Sequence, residues 1–218
     1  MEKIHIYFMP GLAASSLIFE RINLPKEQFE IHLLDWELPL ANETLQNYAK
    51  RISELVTEPN PVLIGVSFGG VLVQEMAQFL KVRKVIIISS VKTNLEVPMR
   101  MKFAKSTKAY KLLPTSLLKN VELLTKFSFG DAIKKRLKLY EKFLSVRDKA
   151  YLDWAIEQMI LWNRNVPDQK VIHIHGTLDE VFPAKNINDY IAVPGGTHIM
   201  ILSKFRWMNE NLPRIILE

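Results

Sequence analysis

Cysteine is absent from the chain, which excludes disulfide bonds, thiolate metal sites and a thiol nucleophile. The sequence also lacks an apolar run of transmembrane length, and its start at Met1-Glu2-Lys3 lacks the long apolar stretch of a secretory signal. We therefore expect a soluble, cytoplasmic protein without an integral membrane segment. No internal repeat is visible, and 218 residues that are 48% hydrophobic can bury the core of one domain.

Positive charge is concentrated in the middle of the chain. Residues 91–165 contain 16 Lys and Arg against 7 Asp and Glu, whereas the remaining residues contain 13 against 16. No zinc-finger spacing or RNA-binding signature accompanies the lysines, so we do not expect a nucleic-acid partner. The basic residues, with Lys134, Lys135 and Lys138 among them, either form solvated helix faces or attract an anionic substrate.

Residues 61–80 carry the pattern with the most specific chemistry. The apolar run Val62–Val66 has no polar alternation, which is typical of a parallel strand buried on both faces, and helical spacing of apolar residues follows it. Between them, Gly65-Val66-Ser67-Phe68-Gly69 matches the G-x-S-x-G turn that exposes a serine hydroxyl between a strand and a helix. We predict that Ser67 is a nucleophile and that the Phe68 N–H stabilises an oxyanion. The alternative is a purely structural glycine-rich turn.

Further strand patterns flank this segment, at Ile4–Met9 and at residues 29–35, 84–90, 170–175 and 190–193. Asn42 is predicted to cap the helix after the second strand, and residues 203–211 are predicted to form the closing helix. Ligands of open parallel sheets bind at the carboxyl ends of the strands, where the loop of residues 10–16 leaves the first strand. The Leu12 N–H is therefore predicted as a second oxyanion donor, the alternative being an ordinary strand-to-helix turn.

Residues 91–165 replace the strand patterns with lysine-rich helical patterns. They are predicted to form a helical cap subdomain inserted into a core domain of residues 1–90 and 166–218. The last helix of this insertion has one broad apolar face, which either packs on the sheet or roofs a pocket. This face consists of Tyr151, Trp154, Ala155, Gln158, Met159 and Trp162.

Two residues in loops after the late strands can activate the serine. A serine hydroxyl needs a base, and the base needs a partner that fixes its tautomer. His198 and Asp179 can fill these roles, with Glu180 as the competing acid, and the chain order Ser67, Asp179, His198 is that of α/β-hydrolases.

One pair of histidines has a spacing that metal sites can use. His173 and His175 share a strand face at a spacing that metal sites use. No carboxylate pattern typical of a metal site accompanies them. We therefore expect neither a metal ion nor a cofactor.

The sequence resembles the α/β-hydrolase superfamily over nearly its whole length, through the elbow GVSFGG, the acid loop HGTLDEVFP, the histidine loop GGTHIM and the helical insertion. The resemblance implies an α/β-hydrolase fold, a mostly parallel sheet with helices on both faces, without the family's first two strands and with a helical cap. It also implies site roles for Ser67 as nucleophile, Asp179 as acid, His198 as base, and the Leu12 and Phe68 N–H groups as oxyanion donors. Asp179 rather than Glu180 matches the family's acid, which is followed four residues later by proline. Family members often carry His-Gly where this chain has Pro10-Gly11.

These features predict a serine hydrolase that cleaves a carboxylic ester or thioester in a small-molecule substrate through an acyl-enzyme, without a cofactor. Because the fold hosts many roles, two alternatives stay open. One is a ligand-binding or receptor-like protein with little turnover. The other is an enzyme acting on amide or carbon–carbon bonds.

Overall fold

The computed structural model describes residues 2–112, 115 and 142–218. Within these residues six strands form one sheet of order β2-β1-β3-β4-β5-β6, and every neighbouring pair is parallel. The strands are β1 (Ile4–Met9), β2 (Phe29–Leu33), β3 (Val62–Val66), β4 (Lys84–Ile88), β5 (Val171–Gly176) and β6 (Ile191–Val193). The predicted parallel sheet is confirmed.

The sheet separates two apolar cores because side chains alternate along each strand. On β1, Ile6 and Phe8 contribute to one core, whereas Tyr7 and Met9 contribute to the other. The central strand β3 is buried along its whole length, as its unbroken apolar run predicted.

Six helices are described: α1 (Leu45–Ser53), α2 (Phe68–Met76), α3 (Met99–Thr107), α4 (Lys149–Leu161), α5 (Met200–Ser203) and α6 (Phe205–Leu217). Apolar side chains of α1, α2 and α4 belong to the core on the Tyr7 side of the sheet. Those of α5 and α6 belong to the core on the Phe8 side. Helices therefore cover both faces, as expected.

Two helix boundaries differ from the predictions. The cap of α1 is Thr44, whose hydroxyl accepts the Asn47 N–H at 3.2 Å. Asn42 instead adopts a left-handed conformation, with φ of 56°, in the turn before the helix. The closing helical region is also longer than residues 203–211, because α5 precedes it and α6 runs to Leu217.

The helix α4 packs closely on the sheet domain. Tyr151, Trp154 and Met159 are buried in the core on the Tyr7 side, and the Trp154 indole N–H donates to the Glu43 carbonyl at 2.7 Å. Lys134, Lys135 and Lys138 lie outside the described residues, and the division into core and cap subdomains stays a prediction. No helix in the described ranges is long and apolar enough to cross a membrane.

Candidate active site

Ser67 lies at a strained turn between β3 and α2. Its φ of 53° and ψ of −119° are unusual for a residue with a side chain and cost on the order of 1–3 kcal/mol. Neighbouring groups hold this conformation, because the Ser67 N–H donates to the Ile88 carbonyl at 2.9 Å and the Ser90 hydroxyl donates to the Ser67 carbonyl at 2.7 Å. The turn directs the Ser67 hydroxyl away from the sheet and towards His198.

Two glycines allow the backbone segments around Ser67 to approach one another. A Cβ atom on Gly65 would lie 2.2 Å from the Gly69 carbonyl oxygen, and one on Gly69 would lie 2.3 Å from the Pro10 carbonyl oxygen. Neither distance is sterically possible. The first contact brings α2 against β3, and the second brings the loop after β1 against the N-terminus of α2.

Three of the predicted site residues meet at the carboxyl edge of the sheet. His198 Nε2 lies 3.0 Å from the Ser67 hydroxyl oxygen, and His198 Nδ1 lies 2.9 Å from Asp179 Oδ2. Because a carboxylate only accepts, Nδ1 carries the proton of the neutral ring and Nε2 is left as the acceptor facing Ser67. This arrangement can draw the proton from the serine hydroxyl.

Asp179 is fully enclosed by protein. Its second oxygen, Oδ1, accepts the N–H groups of Val181 and Phe182 at 2.8 and 2.9 Å. Burial tends to raise the pKa of Asp179, but the hydrogen bond from His198 and that from Phe182 outweigh it, so the pKa is lowered. Asp179 is therefore ionised at neutral pH. Glu180, the competing acid, is exposed to solvent.

A second histidine supports the Asp179 loop from behind. His175 Nε2 lies 2.8 Å from the Phe182 carbonyl oxygen and must donate to it, so His175 Nδ1 accepts from His173 Nε2 at 3.1 Å. Burial lowers the pKa of His175 and lowers that of His173 much further, which keeps both rings neutral. Sequence reasoning missed this support, because it acts through the backbone of Phe182 and no side-chain pattern marks it.

The predicted oxyanion donors flank Ser67 on two different segments. Phe68 is the first residue of α2, and Leu12 lies in the loop after β1, where Gly11 approaches the Ser67 side chain. Among the described residues, neither the Leu12 N–H nor the Phe68 N–H donates to a protein group. Both N–H groups can therefore serve a bound oxygen.

Two aromatic side chains hold the Leu12 loop: Trp36, for which the sequence predicted no role, and Tyr151, which was predicted to lie on the broad apolar face of the last helix of the insertion. The Trp36 indole N–H donates to the Gly11 carbonyl at 2.9 Å, and the Trp36 ring stacks on Phe68 at 5.2 Å. On the other side of the loop, the Ala13 N–H donates to the Tyr151 hydroxyl at 3.4 Å. The position of Pro10-Gly11 is thus fixed by contacts from the segment after β2 and from α4.

A cavity of about 310 Å³ opens onto the Ser67 hydroxyl. Apart from Ser67, His198 and backbone at Gly11, its described lining is apolar, and it contains no charged side chain. The apolar lining residues are Leu12, Ala14, Ile18, Val66, Phe68, Met101, Phe143, Leu144, Met159, Val181, Phe182, Ile199, Ile201 and Leu202. The site therefore places Ser67, His198 and the ionised Asp179 beside an apolar chamber.

Solved structures with the same architecture come from several bacteria. The bromoperoxidase of Bacillus anthracis matches at a TM-score of 0.70 and 16% identity, over 100% of this chain and 93% of that one. The esterase of Exiguobacterium antarcticum matches at 0.66 and 14%, and the enol-lactonase of Burkholderia xenovorans LB400 at 0.68 and 13%, both with those same coverages. No protein-family model matches the sequence, and no curated protein is significantly similar to it.

These matches confirm the fold that the sequence motifs implied: the chain has the α/β-hydrolase fold. The named activities of the three similar proteins differ from one another, and the identities are low. The comparison therefore identifies the scaffold, whereas the chemistry must be argued from the site.

Proposed function

We propose that the protein is a serine hydrolase that cleaves uncharged carboxylic esters or thioesters with an apolar acyl group. The observation that carries this proposal is the continuous hydrogen-bonded series Ser67, His198 and Asp179 at the mouth of an apolar cavity. The names of an esterase and an enol-lactonase among the similar structures agree with it.

In the proposed first step, His198 Nε2 takes the proton of Ser67 as its oxygen attacks the carbonyl carbon of the substrate. The Asp179 carboxylate stabilises the imidazolium that forms, and the Leu12 and Phe68 N–H groups donate to the charged carbonyl oxygen. His198 then gives its proton to the leaving alkoxide or thiolate, which leaves the acyl group on Ser67. Water activated by His198 releases the acid and restores the enzyme.

The cavity supports an apolar, neutral acyl group rather than an anionic one. Its described lining offers a charged acyl chain no ion-pair partner, and a buried charge without such a partner is strongly unfavourable. The described part of the chamber therefore gives no support to the alternative in which residues 91–165 attract an anionic substrate.

The test of the nucleophile compares Ser67→Ala with Ser203→Ala, which changes an exposed serine at the end of α5. Ser67→Ala is expected to lose at least about 10⁴ in kcat for a p-nitrophenyl ester and to lose labelling by a fluorophosphonate probe. Ser203→Ala should keep both. Labelling of the Ser67→Ala protein at the wild-type rate would overturn the assignment.

The role of Asp179 as the acid is tested by comparing variants of two neighbouring carboxylates, Asp179 and Glu180. Asp179→Asn is expected to lower kcat by about 10⁴, because an amide favours the wrong tautomer of His198. Glu180→Gln should remain within about twofold of wild type, as expected for an exposed residue. Equal losses in both variants would remove Asp179 from the proposed triad.

The probe also distinguishes the proposal from its alternatives. A protein that reacts with the fluorophosphonate but cleaves neither esters nor thioesters would have an activated serine and act on another bond, such as an amide or a carbon–carbon bond. A protein that is not labelled at all would be a ligand-binding member of the fold.

A further inference from the structure

A second cluster of chemically capable side chains lies on β1 and β2, apart from the serine site. In the parallel register of these strands His5 is opposite Glu30, and Tyr7 is opposite His32. Side chains two residues apart point to the same face of a sheet, so His5, Glu30 and His32 share one face. All three are at least partly exposed, which leaves a path for a small ligand from solvent.

The ligand atoms of these three residues are close enough to share one ion. His5 Nδ1 lies 2.9 Å from His32 Nε2, and one atom from each of the three side chains lies within 4.8 Å of the others. The Glu58 carboxylate lies 3.7 Å from His5 Nε2, the ring nitrogen that faces away from His32, so it is placed to orient the ring rather than to bind the same ion. Two imidazoles with one carboxylate form a donor set that suits Zn²⁺ and neighbouring transition metals better than Mg²⁺ or Ca²⁺.

Although the sequence led us to expect no metal ion, we propose that His5, Glu30 and His32 bind a divalent transition-metal ion, of which Zn²⁺ is the best fit, between β1 and the edge strand β2. Without an ion the two imidazoles share a single hydrogen bond. Two nitrogens bound to a tetrahedral zinc at about 2.05 Å lie about 3.3 Å apart, so binding requires the rings to separate by only a few tenths of an ångström.

The surroundings hold the cluster in place for such an ion. The Tyr7 ring stacks on the His32 ring with centroids 4.4 Å apart and planes inclined by 13°. The Tyr7 hydroxyl also accepts the Glu58 N–H at 3.2 Å, which keeps the Glu58 backbone beside His5. Partners that fix the orientation of metal ligands strengthen binding because less freedom is lost when the ion enters.

The expected role is structural. His5 is near the start of β1, whereas the serine site is formed by loops that follow the strand ends, so the ion would not contact the reacting groups. An ion shared by β1 and β2 would bind only the folded chain. The stability of the chain would therefore rise once the concentration of the ion exceeds its Kd.

The proposal is tested on untagged, metal-free protein by calorimetric titration with Zn²⁺ and by the visible spectrum of bound Co²⁺. Wild type is expected to bind one ion per chain at this site, with the intense absorption of tetrahedral Co²⁺ and a higher Tm. His32→Gln and Glu30→Gln should each weaken binding at least about tenfold, and Glu27→Gln, an exposed neighbour, should bind as wild type does.

Esterase activity and circular dichroism of each variant report whether it has folded, because none of these residues lies in the proposed catalytic site. A further variant, His5→Gln, tests the site independently of His32. Zn²⁺ affinity that is the same in wild type, His32→Gln and His5→Gln would overturn the proposal, as would a wild-type chain that does not bind the ion.

Discussion

If the apolar cavity binds the acyl chain of the substrate, kcat/KM should depend on the length of that chain. The cavity volume of about 310 Å³ has room for about ten water-sized groups, taking about 30 Å³ for each. With the carboxyl group inside, a chain of about eight carbons fills it. Each methylene removed from water is worth about 0.8 kcal/mol, which corresponds to about a fourfold change in kcat/KM.

We therefore expect kcat/KM for a series of p-nitrophenyl esters to rise about fourfold per methylene from acetyl to about octanoyl, and then to level off. The series is measured at concentrations at which the longer esters remain monomeric, so that aggregation does not imitate the plateau.

A variant that fills the chamber provides the internal test. Ala14 is buried and lines the cavity, so Ala14→Val should move the optimum to a chain shorter by about two carbons. Ala192→Val adds the same two methyl groups at an exposed position on β6 and should leave the optimum unchanged. Rates that are flat from acetyl to octanoyl in wild type would show that the chamber does not bind the acyl chain.

Two further predictions concern stability. Because burial lowers the pKa of His173 and His175, the unfolded chain binds more protons below about pH 6.5, and the free energy of unfolding should increase with pH up to about that value. His173→Gln keeps an N–H donor for His175 but removes one buried titrating ring. The free energy of unfolding from urea denaturation should therefore differ less between about pH 5.5 and about pH 7.5 than in wild type. An unchanged difference would show that burial of His173 does not cause the pH dependence. The second prediction concerns the ion pair between Arg164 and the buried Glu75 carboxylate, whose atoms lie 2.8 Å apart. Arg164→Met leaves this carboxylate without its cation and should lower the free energy of unfolding by about 3–5 kcal/mol, which corresponds to about 10 °C in Tm. Arg214→Met, which breaks an exposed pair, should cost less than about 1 kcal/mol, and similar losses in the two variants would refute the distinction.

The parts of the structure that could be predicted from the sequence are those encoded over short stretches of chain. The unbroken apolar run of β3, the glycines around Ser67 and the helical spacing after it identify the elbow within 20 residues. The approach of Asp179 and His198 to Ser67 was predictable because the carboxyl ends of parallel strands meet at one edge of the sheet.

Contacts between distant segments could not be predicted in the same way. The hydrogen bond from Trp36 to Gly11 depends on how the segment after β2 packs, and that from Ala13 to Tyr151 depends on how α4 packs. The two residues are 25 positions apart in the first bond and 138 in the second. The pairing of His5 with His32 depends on the register of β1 with β2, which a single sequence does not specify.

Even within short stretches the sequence was ambiguous at the start of α1. Asn42 and Thr44 are both good N-cap residues, and the conformation of the turn before the helix determines which of them is the cap. Asn42 tolerates the left-handed conformation that the turn requires, so the helix begins after Thr44.

Phe182 contributes to the serine site through its backbone and its side chain separately. Its N–H binds Asp179 and its carbonyl binds His175, whereas its ring lines the cavity and packs against His198 at 5.5 Å. Any amino acid except proline can supply those two backbone groups. Substitutions at this one position can therefore reshape the chamber while leaving the support of Asp179 intact, which makes residue 182 a natural starting point for diverging substrate preference, in evolution or in a directed library.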